Sequence, residues 1–252
     1  MMAPMRRCMV AAFILLVVIG SALSQVDPLA RAWGGEKKLI VVITPGWNAV
    51  EGSLTRYERS RNGSWHKISG PTPVVVGRSG LAWDPRLARA HSDLYPGPIK
   101  HEGDGRSPAG VFQLKRGTFG FAPSLPGSRI YIPLTPSIEC VDDPSSRYYA
   151  QIVNRQQVDR VDWNSSEKMR SIPQYRWGVV VNYNMDDAVP GDGSCVFLHQ
   201  WSGSGSGTAG CTAMPADDIE EIVRWVNDDG RAVLVQLPQS EYQRLRSHWR
   251  LP

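Results

Sequence analysis

The stretch that decides the fold is CVFLHQWSGSGSGTAGCTAM, residues 195–214. Its first apolar run ends at His199 and predicts a strand. The small residues around Cys211 predict an exposed turn after a flexible Ser/Gly loop. A cysteine nucleophile needs a base that takes its proton, and small neighbours let backbone N–H groups approach a substrate oxyanion. The pattern therefore predicts Cys211 as a nucleophile and His199 as its base.

The rest of the chain predicts a β-rich core with long loops, because short apolar runs alternate with clusters of Gly, Pro and Asn. One helix is predicted from Pro215 to Gly230, with Asp217 and Asp218 at its positive end and an i, i+3, i+4, i+7 apolar stripe. A shorter helix is predicted from residue 240 to residue 248. The predicted strands are Leu39–Ile43, Pro73–Val76, Val111–Leu114, Ile130–Leu134, Trp177–Tyr183, Cys195–His199 and Ala232–Leu237.

Two segments resemble the signatures of the L,D-transpeptidase catalytic domain. Residues 193–214 match a histidine followed by [Ser/Thr]-x-Gly-Cys, and EGDGRSPAGVF at residues 102–112 matches Gly-Asp-x-x-[Thr/Ser]-Pro-x-Gly. They occur in the family's order, and the resemblance runs from about Leu39 to Leu237. One position departs from the family pattern, because Ala213 stands two residues after Cys211, where the family usually has Arg.

The resemblance implies a fold, a reaction and its participants. The fold would be a sandwich of mixed β-sheets with a helix packed after the Cys motif. Cys211 would attack the carbonyl at the L-centre of a diamino acid in a peptidoglycan stem peptide and expel D-Ala. His199, oriented by a backbone carbonyl, would take the thiol proton, and the N–H groups of Gly210 and Cys211 would form the oxyanion hole. An amine of a second stem peptide would take the acyl group. We expect a monomer that needs no metal or cofactor.

Four further residues are candidates for substrate binding: Trp201, Thr208, Asp104 and Arg106. Trp201 follows the predicted base and fits a core aromatic as well as a stacking wall. Asp104 and Arg106 belong to the second motif, which the resemblance places near the cleft. A purely structural turn leading into the strand at Val111 is the alternative explanation of that motif.

The same residues suggest three alternative interpretations. Water could take the acyl group, which would make the protein an L,D-carboxypeptidase or peptidase. The fold could also serve a non-catalytic cell-wall-binding protein. The spacing Cys195-x3-His199-x11-Cys211 superficially suggests a zinc site. A strand, however, would place Cys195 and His199 about 13 Å apart at roughly 3.3 Å per residue, too far for one ion.

The N-terminus predicts export. Arg6 and Arg7 precede an apolar run of ten residues from Val10 to Ile19, and residues 22–24 offer a small-x-small cleavage site. We expect a signal peptide at 1–24, a short linker at 25–38 and a catalytic domain at 39–252, with periplasm or cell envelope as the destination. An uncleaved segment would instead tether the protein to the membrane. Without the first 24 residues the formal net charge falls from +4 to +2, which argues against a nucleic-acid partner.

The cysteine count leaves an odd thiol in the exported chain. Cys140, Cys195 and Cys211 follow the predicted signal peptide. If Cys211 is the nucleophile, Cys140 and Cys195 can pair in an oxidising compartment. The sequence alone does not place the two close together. If residues 195–199 form a strand, such a bridge would lie about 13 Å from His199 and affect stability more than reactivity.

Overall fold

The computed structural model describes residues 35–128, 130–227 and 231–252. The predicted signal peptide and most of the predicted linker lie outside these ranges. Strands dominate the described residues, and each of the seven predicted runs overlaps one. The strands are β1 (Lys38–Thr44), β2 (Glu51–Arg59), β3 (Trp65–Val75), β4 (Leu81–Trp83), β5 (Ser107–Gln113), β6 (Thr118–Gly120), β7 (Tyr131–Pro133), β8 (Ile138–Val141), β9 (Ile152–Asn154), β10 (Ser166–Lys168), β11 (Trp177–Val180), β12 (Phe197–Gln200), β13 (Thr212–Met214) and β14 (Ala232–Pro238).

Three α-helices accompany these strands in the described ranges. They are α1 (Pro85–Ala90), α2 (Ala216–Asn227) and α3 (Gln239–Leu245). Two short 3₁₀ turns, Met169–Ser171 and Pro173–Arg176, lead into β11. None of the helices in the part of the chain that the structure describes is long and apolar enough to span a bilayer.

One large mixed sheet carries most of the chain, in the order β4-β5-β14-β1-β2-β3-β13-β12-β11-β6-β7. Its centre is β1, which pairs in parallel with β14 and antiparallel with β2. The apolar run Leu39–Val42 is buried along its whole length. Such a run without polar alternation is typical of a strand that is covered on both faces, and each buried side chain of this size contributes roughly 1.5–3 kcal/mol.

Helix α2 packs against β11, β12 and β13. Its buried residues Ile219, Ile222, Val223 and Val226 are the stripe that the sequence predicted. Pro215 lies just before the helix, and the predicted end at Gly230 falls outside the described residues. The β-rich fold of mixed sheets with a helix after the Cys motif is thus confirmed.

A second, three-stranded sheet has the order β10-β8-β9 and was not predicted. Its strands are short, and β10 consists of Ser, Glu and Lys, so no apolar run marks it. Between the two sheets lies a cluster of edge-to-face aromatic rings formed by Phe119, Tyr175 and Phe197. Cys140, Cys195 and Cys211 are buried in the same cluster, so the chemistry predicted for Cys211 has to occur where the sheets meet.

The strand that carries His199 begins later than the sequence predicted. It starts at Phe197, because Cys195 adopts a left-handed backbone conformation with φ of 52°. An L-residue in that region cannot continue a strand. The predicted strand at residues 177–183 also ends early, at Val180. The expectation that Cys195–His199 forms one continuous strand is therefore wrong.

Candidate active site

Parallel pairing of β12 and β13 brings the two motif residues together. His199 pairs with Ala213, two residues after Cys211. Cys211 is only 5% exposed. Its sulfur lies against the start of β12. The Phe197 N–H donates to the sulfur at 3.3 Å, and the thiol donates to the Cys195 carbonyl at 3.4 Å. The thiol is therefore held by main-chain groups of the neighbouring strand.

Two hydroxyl groups fix the backbone of Cys211 through its carbonyl oxygen. Ser107 Oγ donates to this oxygen at 2.7 Å and Thr208 Oγ1 at 2.6 Å. Ser107 is fully buried and also accepts the Gly77 N–H at 2.8 Å. The second sequence motif thus contacts the Cys motif through Ser107, a residue to which the sequence analysis assigned no role.

His199 is buried and neutral near pH 7. Burial lowers its pKa to about 4, against the opposing effect of the Gln200 carbonyl. That carbonyl lies 2.7 Å from Nδ1, so Nδ1 carries the proton in the neutral ring and Nε2 is left as a proton acceptor. The ring also stands edge-to-face against Tyr175, with 5.1 Å between centroids. A neutral imidazole fixed in one tautomer is what a general base requires.

The Cys211 thiol is protonated at rest. Burial raises its pKa first, and the charge of Glu167 raises it further, while the Phe197 N–H and the Tyr175 hydroxyl act in the opposite direction. Among the described residues no hydrogen bond joins the thiol to His199, although both face the same cavity. Catalytic contacts often tighten only when substrate binds.

Two cavities reach Cys211 from different directions. The first, of about 220 Å³, contains the predicted residues His199, Trp201 and Thr208. The second, of about 200 Å³, is lined by charged side chains and by Gly210. Cys211 and Glu167 belong to the walls of both. An acyl group on the thiol can therefore be approached from two sides.

The first cavity lacks a cation to receive a substrate carboxylate. Ala213 lies in its wall and is fully buried. No Lys or Arg of the described residues lines this cavity. The departure from the family pattern at Ala213 is thus not compensated locally on this side of the thiol.

Asp104 and Arg106, two of the predicted substrate-binding residues, make structural contacts in the loop that leads to Ser107. Neither lines one of the two cavities. The Asp104 side chain is only 4% exposed, pairs with Lys100 at 2.5 Å and accepts the N–H groups of His101 and Arg106. The Arg106 guanidinium donates to the carbonyls of Trp47 and Leu81 and to the Asn48 side chain. Their polar groups are occupied in shaping the loop that presents Ser107.

Of the two predicted oxyanion donors, Gly210 is already engaged. Its N–H donates to Thr208 Oγ1 at 3.1 Å. No hydrogen bond of the Cys211 N–H to another described residue is present. The Cys211 N–H is therefore the donor available to an oxyanion, and the prediction for Gly210 requires the Thr208 bond to break.

Cys140 and Cys195 form a disulfide with 5.9 Å between their Cα atoms, while Cys211 is free. The expected separation of about 13 Å between this bridge and the chemistry is wrong, because the Cys195 carbonyl contacts the Cys211 thiol itself. The reason is the left-handed turn at Cys195, which folds its carbonyl towards the thiol. The disulfide also removes Cys195 sulfur from the metal-ligand pattern considered above.

The sequence analysis missed two side chains beside the thiol. Tyr175, at 3% exposure, donates its hydroxyl to Glu167 Oε2 at 2.6 Å. Both lie in the segment between β8 and β12 and belong to no motif. Glu167 lies between Ser166 and Lys168, and this short polar sequence looks like that of an ordinary surface segment.

A buried cysteine and a neutral, oriented histidine on one cavity are the groups that thiol acyl transfer requires. The family model for the L,D-transpeptidase catalytic domain (YkuD) matches residues 50–235. The chain belongs to this family, whose members act on peptidoglycan. A search of curated proteins finds no significant match to the chain.

Proposed function

We propose that the protein is an exported L,D-transpeptidase that cross-links or remodels peptidoglycan in the periplasm or cell envelope. The observation that carries this proposal is the single cavity shared by the free Cys211 thiol and the neutral His199 ring. Family membership supports the peptidoglycan substrate.

The reaction begins when His199 Nε2 takes the thiol proton and the sulfur attacks the donor carbonyl. Because the pKa of Cys211 is raised by burial, the proton has to move as the sulfur–carbon bond forms. The Cys211 N–H stabilises the oxyanion. His199 then returns the proton to the departing amine of D-Ala, which leaves a thioester on Cys211. Trp201 and Thr208, in the wall of the first cavity, position the donor.

The first experiment is mass spectrometry of the mature protein incubated with a carbapenem, a class that acylates members of this family. We expect a single covalent adduct on Cys211 that is absent in Cys211→Ala. His199→Ala should slow adduct formation by about 10²-fold or more, the usual scale for a positioned base. An adduct in Cys211→Ala at the wild-type rate would refute the nucleophile, and a slowing of less than threefold in His199→Ala would refute the base.

The second experiment separates a transferase from a hydrolase. A stem peptide ending in D-Ala is incubated with the enzyme, with and without a primary amine acceptor. Cross-linked product in the presence of the amine supports the transpeptidase. Release of the shortened peptide alone, at the same rate with and without the amine, would indicate an L,D-carboxypeptidase. Binding without either product would indicate a wall-binding protein.

A further inference from the structure

Glu167 is a partly buried carboxyl group beside the thiol, and the reaction above assigns it no role. Its Oε2 is anchored by the Tyr175 hydroxyl at 2.6 Å. Its Oε1 makes no hydrogen bond to any residue in the described ranges. Glu167 therefore has one oxygen that is fixed and one that is available at the point where the two cavities meet.

The two cavities differ in the proton acceptor that they offer. The first contains both His199 and Glu167, whereas the second contains Glu167 and not His199. A molecule that reaches a thioester on Cys211 through the second cavity meets three carboxyl groups, those of Glu102, Asp142 and Glu167. Of these, Glu167 has the strongest charge effect on the Cys211 thiol. An amine nucleophile must lose a proton as it forms an amide, so this side of the thioester needs a base.

We propose that Glu167 is a catalytic residue for the second half-reaction and accepts the proton of the acceptor amine. The assignment rests on the proposed function, since it presupposes an acyl group on Cys211. It divides the proton transfers between two residues: His199 serves acylation in the first cavity, and Glu167 serves transfer to an amine that enters through the second.

The step balances as follows. The neutral amine nitrogen attacks the thioester carbon, the C–N bond forms, and the C–S bond breaks with its electron pair remaining on sulfur. One N–H proton passes to the Glu167 carboxylate. The Tyr175 hydroxyl, which bonds Glu167 and lies beside Cys211, then gives its proton to the thiolate and takes the one held by Glu167. The cycle ends with a neutral thiol and an ionised carboxylate, as at its start.

The charges around the second cavity suit an amine. Glu102 and Asp142 lie in its wall with Glu167, and one oxygen of Asp142 is buried without a hydrogen-bond partner among the described residues. Lys100 is neutralised by its ion pair with Asp104. The three carboxyl groups therefore face one remaining cation among the described residues of this wall, Arg78. An ammonium group is therefore attracted to this side of the thiol before it loses its proton.

The same surroundings suit a proton acceptor that works near neutral pH. Burial raises the pKa of Glu167 to about 7, with Asp142 and Glu102 adding to the effect and the Tyr175 hydroxyl opposing it. A carboxyl group in this range can accept and release a proton under physiological conditions. The charged and titratable groups that face it across the second cavity are Arg78, Lys100, Glu102, Asp142 and Cys211.

The test is Glu167→Gln, which preserves the shape of the side chain and still accepts the Tyr175 hydroxyl. The acyl-enzyme is formed first with a stem-peptide donor and isolated, and a primary amine is then added in a single turnover. We expect acylation within threefold of wild type or faster, because the variant loses a negative charge that disfavours the thiolate. Transfer to the amine should slow by about 10²-fold, so that the acyl-enzyme accumulates.

Glu220→Gln is the matched control, because among the described residues the Glu220 side chain pairs only with Arg224 on the surface of α2. Both steps should proceed at wild-type rates. Thermal unfolding of each variant verifies that it folds. Transfer within threefold of wild type in Glu167→Gln would overturn the proposal, as would an equal loss in acylation and transfer. If wild type forms no acyl-enzyme, the proposed function itself fails instead.

A pH profile gives a readout that does not depend on a damaging substitution. With methoxyamine, an acceptor that is neutral across the range, transfer by the wild-type acyl-enzyme should rise through a midpoint near pH 7 as Glu167 ionises. Tyr175→Phe should slow the return of the proton to the thiolate and shift that midpoint, since the Tyr175 hydroxyl both bonds Glu167 and relays its proton. A wild-type profile that is flat between pH 5.5 and about 8 would overturn the assignment.

Discussion

Removal of the Cys140–Cys195 disulfide should change both the stability of the protein and the reactivity of its nucleophile. The perturbation is the double variant Cys140→Ala/Cys195→Ala, which leaves Cys211 as the only cysteine after residue 24. The bridge joins positions 55 residues apart. A chain-entropy model gives about 4 kcal/mol for a loop of this length. For a domain of this size the melting temperature should fall by about 8–16 °C.

The effect on reactivity follows from the contact between the bridge and the thiol. The Cys195 carbonyl accepts a hydrogen bond from the Cys211 thiol and thereby favours the neutral form. Without the bridge, this carbonyl is no longer held in place and the covering of the buried sulfur loosens. Cys211 should therefore react at least threefold faster with a small alkylating probe, although the folded state is less stable.

The two measurements are denaturant unfolding followed by tryptophan fluorescence, and alkylation kinetics followed by mass spectrometry. Alkylation is recorded at a temperature where both proteins are fully folded, so that global unfolding does not contribute. A loss of less than 1 kcal/mol would refute the loop-closure argument. Unchanged or slower alkylation would refute the role assigned to the Cys195 carbonyl.

Three further predictions concern stability and titration. Ser107→Ala removes a buried hydroxyl from the Cys211 carbonyl and leaves a buried N–H group without its acceptor; it should cost about 2–3 kcal/mol in denaturant unfolding and slow adduct formation. Burial opposes ionisation of the Glu139 carboxyl group, but hydrogen bonds led by the one from Lys168 outweigh this effect and lower its pKa to about 2. The wild-type protein should therefore lose stability as the pH falls from about 5 to about 2. Glu139→Gln should lack this loss and be less stable than wild type at pH 7. The folded-state pKa of His199 is lowered from 6.5 to about 4. As the pH falls from 6.5 to about 4, the unfolded chain binds a proton at this residue before the folded protein does, so wild type should lose stability. An NMR titration of the imidazole with a midpoint above 6 would contradict this.

The parts of the fold with periodic apolar residues or known motifs could be predicted from the sequence, because the spacing of their apolar residues matches the face that is buried. The stripe of α2 and the apolar run of β1 are of this kind. Strand β2 was missed because its sequence is polar, although Arg56 within it is 5% exposed. The guanidinium is satisfied by Ser69 and Glu221, partners far apart in sequence that no local pattern reveals.

The candidate site was predictable to the extent that its residues lie in one short stretch. Cys211 and His199 are 12 positions apart and their strands are neighbours, so their proximity follows from local order. Glu167 and Tyr175 approach the thiol only through the packing of a second sheet against the first. The turn at Cys195 depends on a backbone conformation that its sequence does not encode by Gly or Asn.

The Cys140–Cys195 disulfide helps to fix the positions of the candidate catalytic groups relative to one another. Glu167 belongs to the small sheet, whereas Cys211 and His199 adjoin neighbouring strands of the large one. The Cys140–Cys195 bridge ties β8 of the small sheet to the residue that leads into β12. Catalytic groups have to be held within about 0.5 Å of their productive geometry, and here they come from two separate sheets. The disulfide lies beside the reacting sulfur and therefore fixes the position of the small sheet, which carries Glu167, relative to the large sheet.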